Sequence, residues 1–343
     1  MKKTIRIGAI ALIIAMTSFI MMGCKNTEVL ATAENPFALA SLNVRPDGEK
    51  IADRNVDVEG QDAIDLAVEL YELACNNDKM TPYRAFYSVC PTHNVAMGMN
   101  NDILLNILEF KNNNEYYRID YRLKQNVELF NTFPYAETPI NNSIKLVTAE
   151  RRYSNTDMDY TRYQQILNAN TDANGVPYAD WSATDKIIEK IDPNEGESEV
   201  KIFSATQEGV YRKSDHVIEA DTITTATVTY DATAGIYTIA LDLDCTIVDG
   251  YNKATEFTRP LIQNGSGADN AKYDSIHIEF TMWDNGYFKE FKSSEYWSAK
   301  LQIVLTLDVS SEFLYDEIYS YDEADCNIGK YYANGEFIND YNA

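Results

Sequence analysis

Three histidines, His93, His216 and His277, are all that the chain offers for imidazole chemistry. Nucleophilic catalysis needs a Ser or Cys activated by such a base, and no Gly-x-Ser-x-Gly elbow accompanies them. His277 falls on the polar side of an alternating run, which reads as a solvent-facing imidazole. A His-Glu-x-x-His pair, a P-loop and a dinucleotide fingerprint are all lacking. Two carboxylates at a set separation suffice for glycoside hydrolysis. With 53 Asp and Glu a cryptic carboxylate-based hydrolase stays open, but no pair stands out. Asn170-Thr171-Asp172-Ala173-Asn174-Gly175 imitates the start of an EF-hand loop. Trp181 then stands where a bidentate Glu is needed and Pro177 interrupts, so an Asn/Asp/Gly turn explains the same letters. The expectation is a non-enzymatic protein with no catalytic residue, no metal site and no cofactor.

One cysteine has a chemistry of its own. The chain opens Met1-Lys2-Lys3-Thr4-Ile5-Arg6, basic and free of acid, and an apolar stretch runs from Ile7 to Met22. That suits a secretory leader and is short of the ~18 apolar residues of a spanning helix. Met21-Met22-Gly23-Cys24 resembles a lipobox, the cleavage site of bacterial lipoprotein signal peptides. The resemblance implies that residues 1–23 are removed and that Cys24 carries the lipid. An exported protein held on the outer face of the bacterial cell membrane, in the cell envelope, follows from it, since multiple acyl chains meet the rule for stable anchoring.

Composition limits the partners. Acids outnumber Lys and Arg 53 to 29, which excludes nucleic acid, whose phosphates would be repelled. Cutting after Gly23 removes three bases and no acid, so the imbalance deepens. Protein partners leave no mark in the sequence. After Cys24 come Cys75, Cys90, Cys245 and Cys326, and their spacing shows no CxxC. Outside the membrane four cysteines permit disulfides in three connectivities; buried thiols are the default.

These groups must be held by the following elements. Residues 24–60 lack periodicity and read as the lipidated Cys and a flexible tether. A helix follows over 62–75, with Asp62 as N-cap and Ala63, Leu66, Ala67, Leu70, Leu73 and Ala74 on one face. Asn76-Asn77-Asp78 ends it. The period then changes to two. Residues 103–123 predict a hairpin turned at Asn112-Asn113-Asn114, and 223–230 with 236–248 predict another. Ile276, Ile278, Phe280 and Met282 alternate with His277, Glu279 and Thr281 before the turn Asp284-Asn285-Gly286 and a return through Phe291. Leu301, Ile303, Leu305, Leu307 and Val309 predict one more strand. The stretch 168–200 reads as a loop-rich insertion, with one short helix around Ala183 to Ile191.

Together these make a single α+β domain over 61–343: a curved antiparallel sheet with an N-terminal amphipathic helix packed on it. The lipobox, the Leu66/Leu70/Leu73 stripe and strand–turn–strand units such as Thr281-Met282-Trp283-Asp284-Asn285-Gly286-Tyr287 resemble the LolA/LppX-like lipoproteins and carriers. That resemblance implies an incomplete barrel and an apolar cavity for a lipid or other amphiphile. Inward candidates to line it are Leu66, Leu70, Ile239, Leu241, Leu243, Ile278 and Phe280, each of which also serves as ordinary core. The competing expectation is a surface module that binds carbohydrate or peptide with Tyr116, Tyr160, Tyr163, Tyr178, Trp181, Trp283, Tyr287, Tyr296 and Trp297. Labelled palmitate fed to the native cells tests the anchor: wild type is expected to take up label and Cys24→Ala to take up none. Equal labelling of both refutes it.

Overall fold

The computed structural model describes residues 39, 41–96, 99–113, 213–266, 268, 270–302 and 306–327, with Gly329. It also gives the backbone of strands within 115–191 and 332–337. The expected leader and lipobox, with Cys24, lie outside the described residues.

Helix α1 spans Gln61–Met80. Its buried face carries Ala63, Leu66, Ala67, Leu70, Tyr71, Ala74 and Cys75, the 3–4 spacing of a helix whose stability comes from covering something apolar. Two boundaries differ from expectation. Asp62 is not the N-cap: Gly60, at φ 59°, takes that place without a side-chain cap, and Asp62 sits in the first turn, where its charge suits the helix dipole. The helix also runs past Asn76-Asn77-Asp78 to Met80, because its last turn is tied to the sheet. Arg84 Nη1 donates to Asp78 Oδ2 at 2.6 Å, both side chains fully buried. Lys111 Nζ donates to the carbonyls of Lys79 and Thr81, each at 2.7 Å, and so satisfies acceptors that a helix end leaves open.

The main sheet is entirely antiparallel and has twelve strands. Its early members are β1 (Tyr83–Ala96), β2 (Met99–Asn112), β3 (Glu115–Leu129), β4 (Ser143–Ile144), β5 (Thr148–Asn155) and β6 (Arg162–Asn168). The short strands β7 (Asn170–Thr171) and β8 (Pro177–Tyr178) pair apart from it, and β9 (Ile187–Ile191) rejoins it. Then come β10 (Ile223–Asp231), β11 (Ile236–Leu243), β12 (Lys272–Trp283), β13 (Phe288–Gln302) and β14 (Thr306–Ser320). Helix α2 (Thr258–Ser266) stands between β11 and β12. The spatial order is β10-β11-β12-β13-β14-β1-β2-β3-β5-β6-β9, with β4 on β3, and the described ends do not pair, so the sheet is not closed into a barrel.

The three predicted hairpins form, as β2–β3 with Asn113 at φ 55°, as β10–β11, and as β12–β13. Two expectations are corrected. Residues 301–309 are not one strand: Leu301 on β13 faces Leu307 on β14, so the alternation continued unchanged across a hairpin. The described end of the predicted helix 183–191 is a strand, β9, which pairs with Arg162–Ile166. Its β-branched Ile187, Ile188 and Ile191 fit a pleated surface better than a helix. Within the stretch 168–200, β9 thus joins the main sheet beside β6.

The tether expected over 24–60 is also shorter. Arg45 Nε binds Asp284 Oδ1 at 2.8 Å, the Ile51 amide donates to the Asp284 carbonyl at 2.8 Å, and Asn285 Nδ2 donates to the Pro46 carbonyl at 2.7 Å. Ser41 N donates to Asp325 Oδ2 at 2.9 Å, and Ile51, Val56 and Val58 lie against the core. Residues 41–60 are a strap on the body.

Helix α1 meets β10, β11 and β13. Between them lies an aromatic core in which Tyr71 meets Phe280 edge-on at 5.8 Å and Phe288 stacks on Tyr319 at 5.6 Å. The turn before β13 approaches the helix so closely that a Cβ on Gly286, at φ 86°, would meet Leu73 at 3.3 Å and Asn77 at 2.5 Å. Only glycine suits that place. Arg84→Met leaves the buried carboxylates of Asp78 and Glu109 without their guanidinium, and is expected to cost about 3–5 kcal/mol by urea unfolding. The triple change that also makes Asp78→Leu and Glu109→Leu recovers most of it. A loss under about 1 kcal/mol for Arg84→Met alone would deny the pair its structural weight.

Candidate functional site

All seven inward candidates meet in one cluster. Leu66 and Leu70 descend from α1, Ile239, Leu241 and Leu243 rise from β11, and Ile278 and Phe280 rise from β12. Each is buried, and Leu70, Ile239 and Ile278 have no exposed surface at all. They lie against one another and against Tyr71, Phe288 and Phe291, so the space between helix and sheet is filled by the protein's own side chains. Their observed work is core.

The sheet face that carries this core continues past the helix onto β14, β1 and β2. Alternation on β14 sets Phe313, Tyr315, Glu317 and Tyr319 on that face, and register puts Thr92 opposite Phe313, Ser88 opposite Glu317 and Phe86 opposite Tyr319. On β2, Leu105 faces Cys90 and Ile103 faces Thr92. Phe313, Tyr315, Ile103 and Leu105 are only half-buried, with Phe313 and Tyr315 stacked at 6.1 Å, whereas the residues under the helix are dry. The result is an apolar band beside the core.

Between core and band sits a charge-bearing box. The segment 213–218, neither helix nor strand, lies beside α1, where the Ser214 amide donates to the Tyr71 hydroxyl at 3.0 Å. Lys213 puts its ammonium against the Glu317 carboxylate, with the two side chains 5% and 0% exposed. The ammonium is 4.1 Å from the ring centroid of Phe86, 5.2 Å from Tyr319 and 5.6 Å from Phe291. Tyr319 donates its hydroxyl to Glu317 Oε2 at 2.6 Å. Burial pushes the Tyr319 hydroxyl well up, and the Glu317 charge adds to it, so it stays a donor. Nothing in the sequence reading found this box. The available signal was Glu317, an acid at an inward position of an alternating strand.

Three residues further along the segment, His216 Nδ1 lies 3.2 Å from Thr258 Oγ1 and Nε2 lies 3.1 Å from Glu295 Oε1. The imidazole stands edge-on to Tyr273 at 5.0 Å. A hydroxyl, an imidazole and a carboxylate in line is the order used for nucleophilic catalysis. Here both Thr258 and His216 are buried, and their contacts fix the first turn of α2 to the segment. His277 is exposed, as its place on the strand requires, and Nδ1 lies 2.8 Å from Asp242 Oδ1. Asp242 sits below the usual carboxylate range: burial works against this, but the bonds from Thr225 and His277 outweigh it.

Asp242 also borders an open cleft of about 520 Å³ at the end of β11 and the start of β12, with Asp244, Cys245, Thr246, Lys272 and Asp274. Lys272 pairs with Asp274, and the hydroxyl and amide of Thr246 hold Asp244 below its ordinary range. Among the described residues no group of three or more His, Cys, Asp or Glu is placed to hold a metal.

Among the described residues, the aromatic candidates Trp283, Tyr287, Tyr296 and Trp297 do not form one platform. Trp283 has Lys289 over its ring at 5.8 Å, Tyr287 meets Tyr321 edge-on at 4.9 Å, and the neighbours Tyr296 and Trp297 alternate to opposite faces. The side chains of Tyr116, Tyr160, Tyr163, Tyr178 and Trp181, and the loop imitating an EF-hand, lie outside the described residues.

Cys75, Cys90, Cys245 and Cys326 form no disulfide among the described residues. Burial, then the Asp78 charge, pushes Cys75 up to about 12; burial and Asp325 do the same for Cys326, also to about 12. Burial, Asp244 and Asp274 raise Cys245 to about 11. Since the thiolate is the reactive form, iodoacetamide at pH 8 is expected to label none of these three in the folded protein and all of them in urea. Rapid native labelling of Cys245 would show that its surroundings are more open than this.

No family model matches the sequence, and no curated protein is similar to it. Among solved structures, a DUF1329 family protein from Desulfovibrio piger is matched over 77% of this chain and 93% of its own, at 11% identity and a TM-score of 0.20. OprD of Pseudomonas aeruginosa is matched over 69% of this chain and 95% of its own, at 8% identity and a TM-score of 0.12. Scores of that size carry no argument about fold or activity.

Proposed function

We propose that this is a non-enzymatic lipoprotein, anchored through Cys24 to the outer face of the bacterial cell membrane, that holds a lipid or other amphiphile by its apolar part. The observation that carries the reading is the half-buried band of Phe313, Tyr315, Ile103 and Leu105 beside a fully buried core. Apolar surface left partly wet stabilises whatever covers it by about 25 cal/mol per Å². The seven residues first expected to hold the ligand are taken up by the core, so the role passes to the strands next to it. The reading includes a sheet curled into an incomplete barrel around that band.

The acidic balance of the chain suits a neutral or cationic ligand better than an anionic one. The competing surface module is less well supported, because its described aromatics face different ways. Native mass spectrometry of the protein purified from its own cells is the test. A lipid is expected to travel with wild type and to be lost from Phe313→Asp and Leu105→Asp, both of which keep the wild-type circular dichroism. Wild type free of lipid, or lipid kept by both variants, would sink the idea.

A further inference from the structure

The walls of the box around Lys213 come from three neighbouring strands: Phe86 from β1, Phe291 from β13, and Glu317 with Tyr319 from β14. Its occupant comes from outside the sheet, on a segment with no regular structure. Three ring faces and one carboxylate make a receptor for an organic cation: the rings attract it through their quadrupoles and the carboxylate neutralises it. One oxygen, Glu317 Oε2, already serves Lys213 and Tyr319; the other, Oε1, is buried and makes no hydrogen bond among the described residues. The Glu317 charge also acts on the Tyr315 hydroxyl, so a head that replaces Lys213 is held by charge and ring faces.

Its position adds the second half. Along β14 the same face reads Tyr319, Glu317, Tyr315, Phe313, so the box passes directly into the apolar band. From Glu317 to Phe313 is four residues of strand, about 13 Å. A cationic head beside Glu317 would lay an attached hydrocarbon chain over Tyr315 and Phe313. We propose that Lys213 occupies, in cis, the binding site for an alkylammonium headgroup, and that an amphiphile bearing such a head displaces it. This rests on the amphiphile reading above and adds the headgroup class to it. Lys213 then acts as a plug: its own four-carbon stem and ammonium imitate the ligand, and keep Glu317 paired when no ligand is bound. A buried carboxylate left alone would be costly, so exchange of one cation for another is the route open to it.

Displacement frees the Lys213 amine, and acetylation followed by peptide mass spectrometry reads it. Decyltrimethylammonium, which has no amine to acetylate, is added below its micelle concentration to the full-length protein, at ionic strength matched with sodium chloride. The expected result is at least a ten-fold faster acetylation of Lys213, with buried Lys111 unchanged. Decyl maltoside, uncharged, is expected to bind the band and leave Lys213 protected. If decyltrimethylammonium binds by calorimetry while Lys213 stays protected, the headgroup site is wrong and the amphiphile reading survives. If neither amphiphile binds, both fall. Lys111 exposed in step with Lys213 marks general unfolding and also overturns the plug. In Lys213→Ala, tetramethylammonium is expected to bind at least ten-fold more tightly than to wild type, and equal affinity counts against the proposal. Should that variant fail to fold, the wild-type acetylation decides alone.

Discussion

The structure depends on one long-range pairing, that of β1 with β14. The two strands come from opposite ends of the body, with Ala85 opposite Ser320 and Ala96 opposite Val309, and they lie in the middle of the sheet. Everything of interest is built across or beside that seam. Phe86 meets Tyr319 over it, the box around Lys213 spans it, and the apolar band crosses it onto β2. The same strand β1 carries Arg84, which ties down the end of α1. A pairing of such sequence separation is costly to close and repays that cost only when both faces have been covered.

Coverage is what sorts the residues. Where α1 lies over β10, β11 and β13, the face is aromatic and aliphatic, and its centre at Leu70, Ile239 and Ile278 is dry. Where helix cover ends, ionisable side chains appear in pairs: Arg84 with Asp78 and Glu109, Lys213 with Glu317, and His216 with Glu295. Burial pulls the Arg84 pKa down, and the charges of Asp78 and Glu109 more than reverse it, so it stays a cation. Lys111, lowered by burial and by Arg84, still donates to two helix carbonyls. Pairs of this kind seldom add much net stability over apolar side chains of the same size. What they do is fix geometry, because each buried charge requires an opposite charge beside it. On this protein they set where the helix stops and where the loop at 213 rests.

The hairpins were legible in the sequence because a hairpin is local: Ile276 to Phe291 carries its own alternation and its own turn. The strand β1 was not, since both of its faces are buried near Ala85 and Phe86, Pro91 lies within it, and no wet face leaves an alternating trace. For the same reason the partner of β14 could not be read at all; register across the seam is stored in tertiary packing. Helix 62–75 was found and its end missed, because Asp78 looks like a stop until Arg84 is placed beside it. The strap 41–60 looked like tether since its bonds run from Arg45 and Pro46 to the distant turn at Asp284 and Asn285. At the site, the alternation and helical spacing of Leu66, Leu70, Ile239, Leu241, Leu243, Ile278 and Phe280 mark burial, and burial alone does not tell core from cavity. Glu317 carried the better signal, and it was passed over among so many acids.

The strap also bears on how the body would stand on a membrane. Ser41 is bonded to Asp322 and Asp325, just beyond the end of β14 that carries Glu317 and Tyr319. On the proposed anchoring, the 17 steps from Cys24 to Ser41 can reach at most about 60 Å, whatever path they take. Ser41 is held at the box end of β14, and the band leads away from that end toward Phe313. That reach of about 60 Å is several times the ~13 Å from Glu317 to Phe313, so on the proposed anchoring either end of the band can face the membrane.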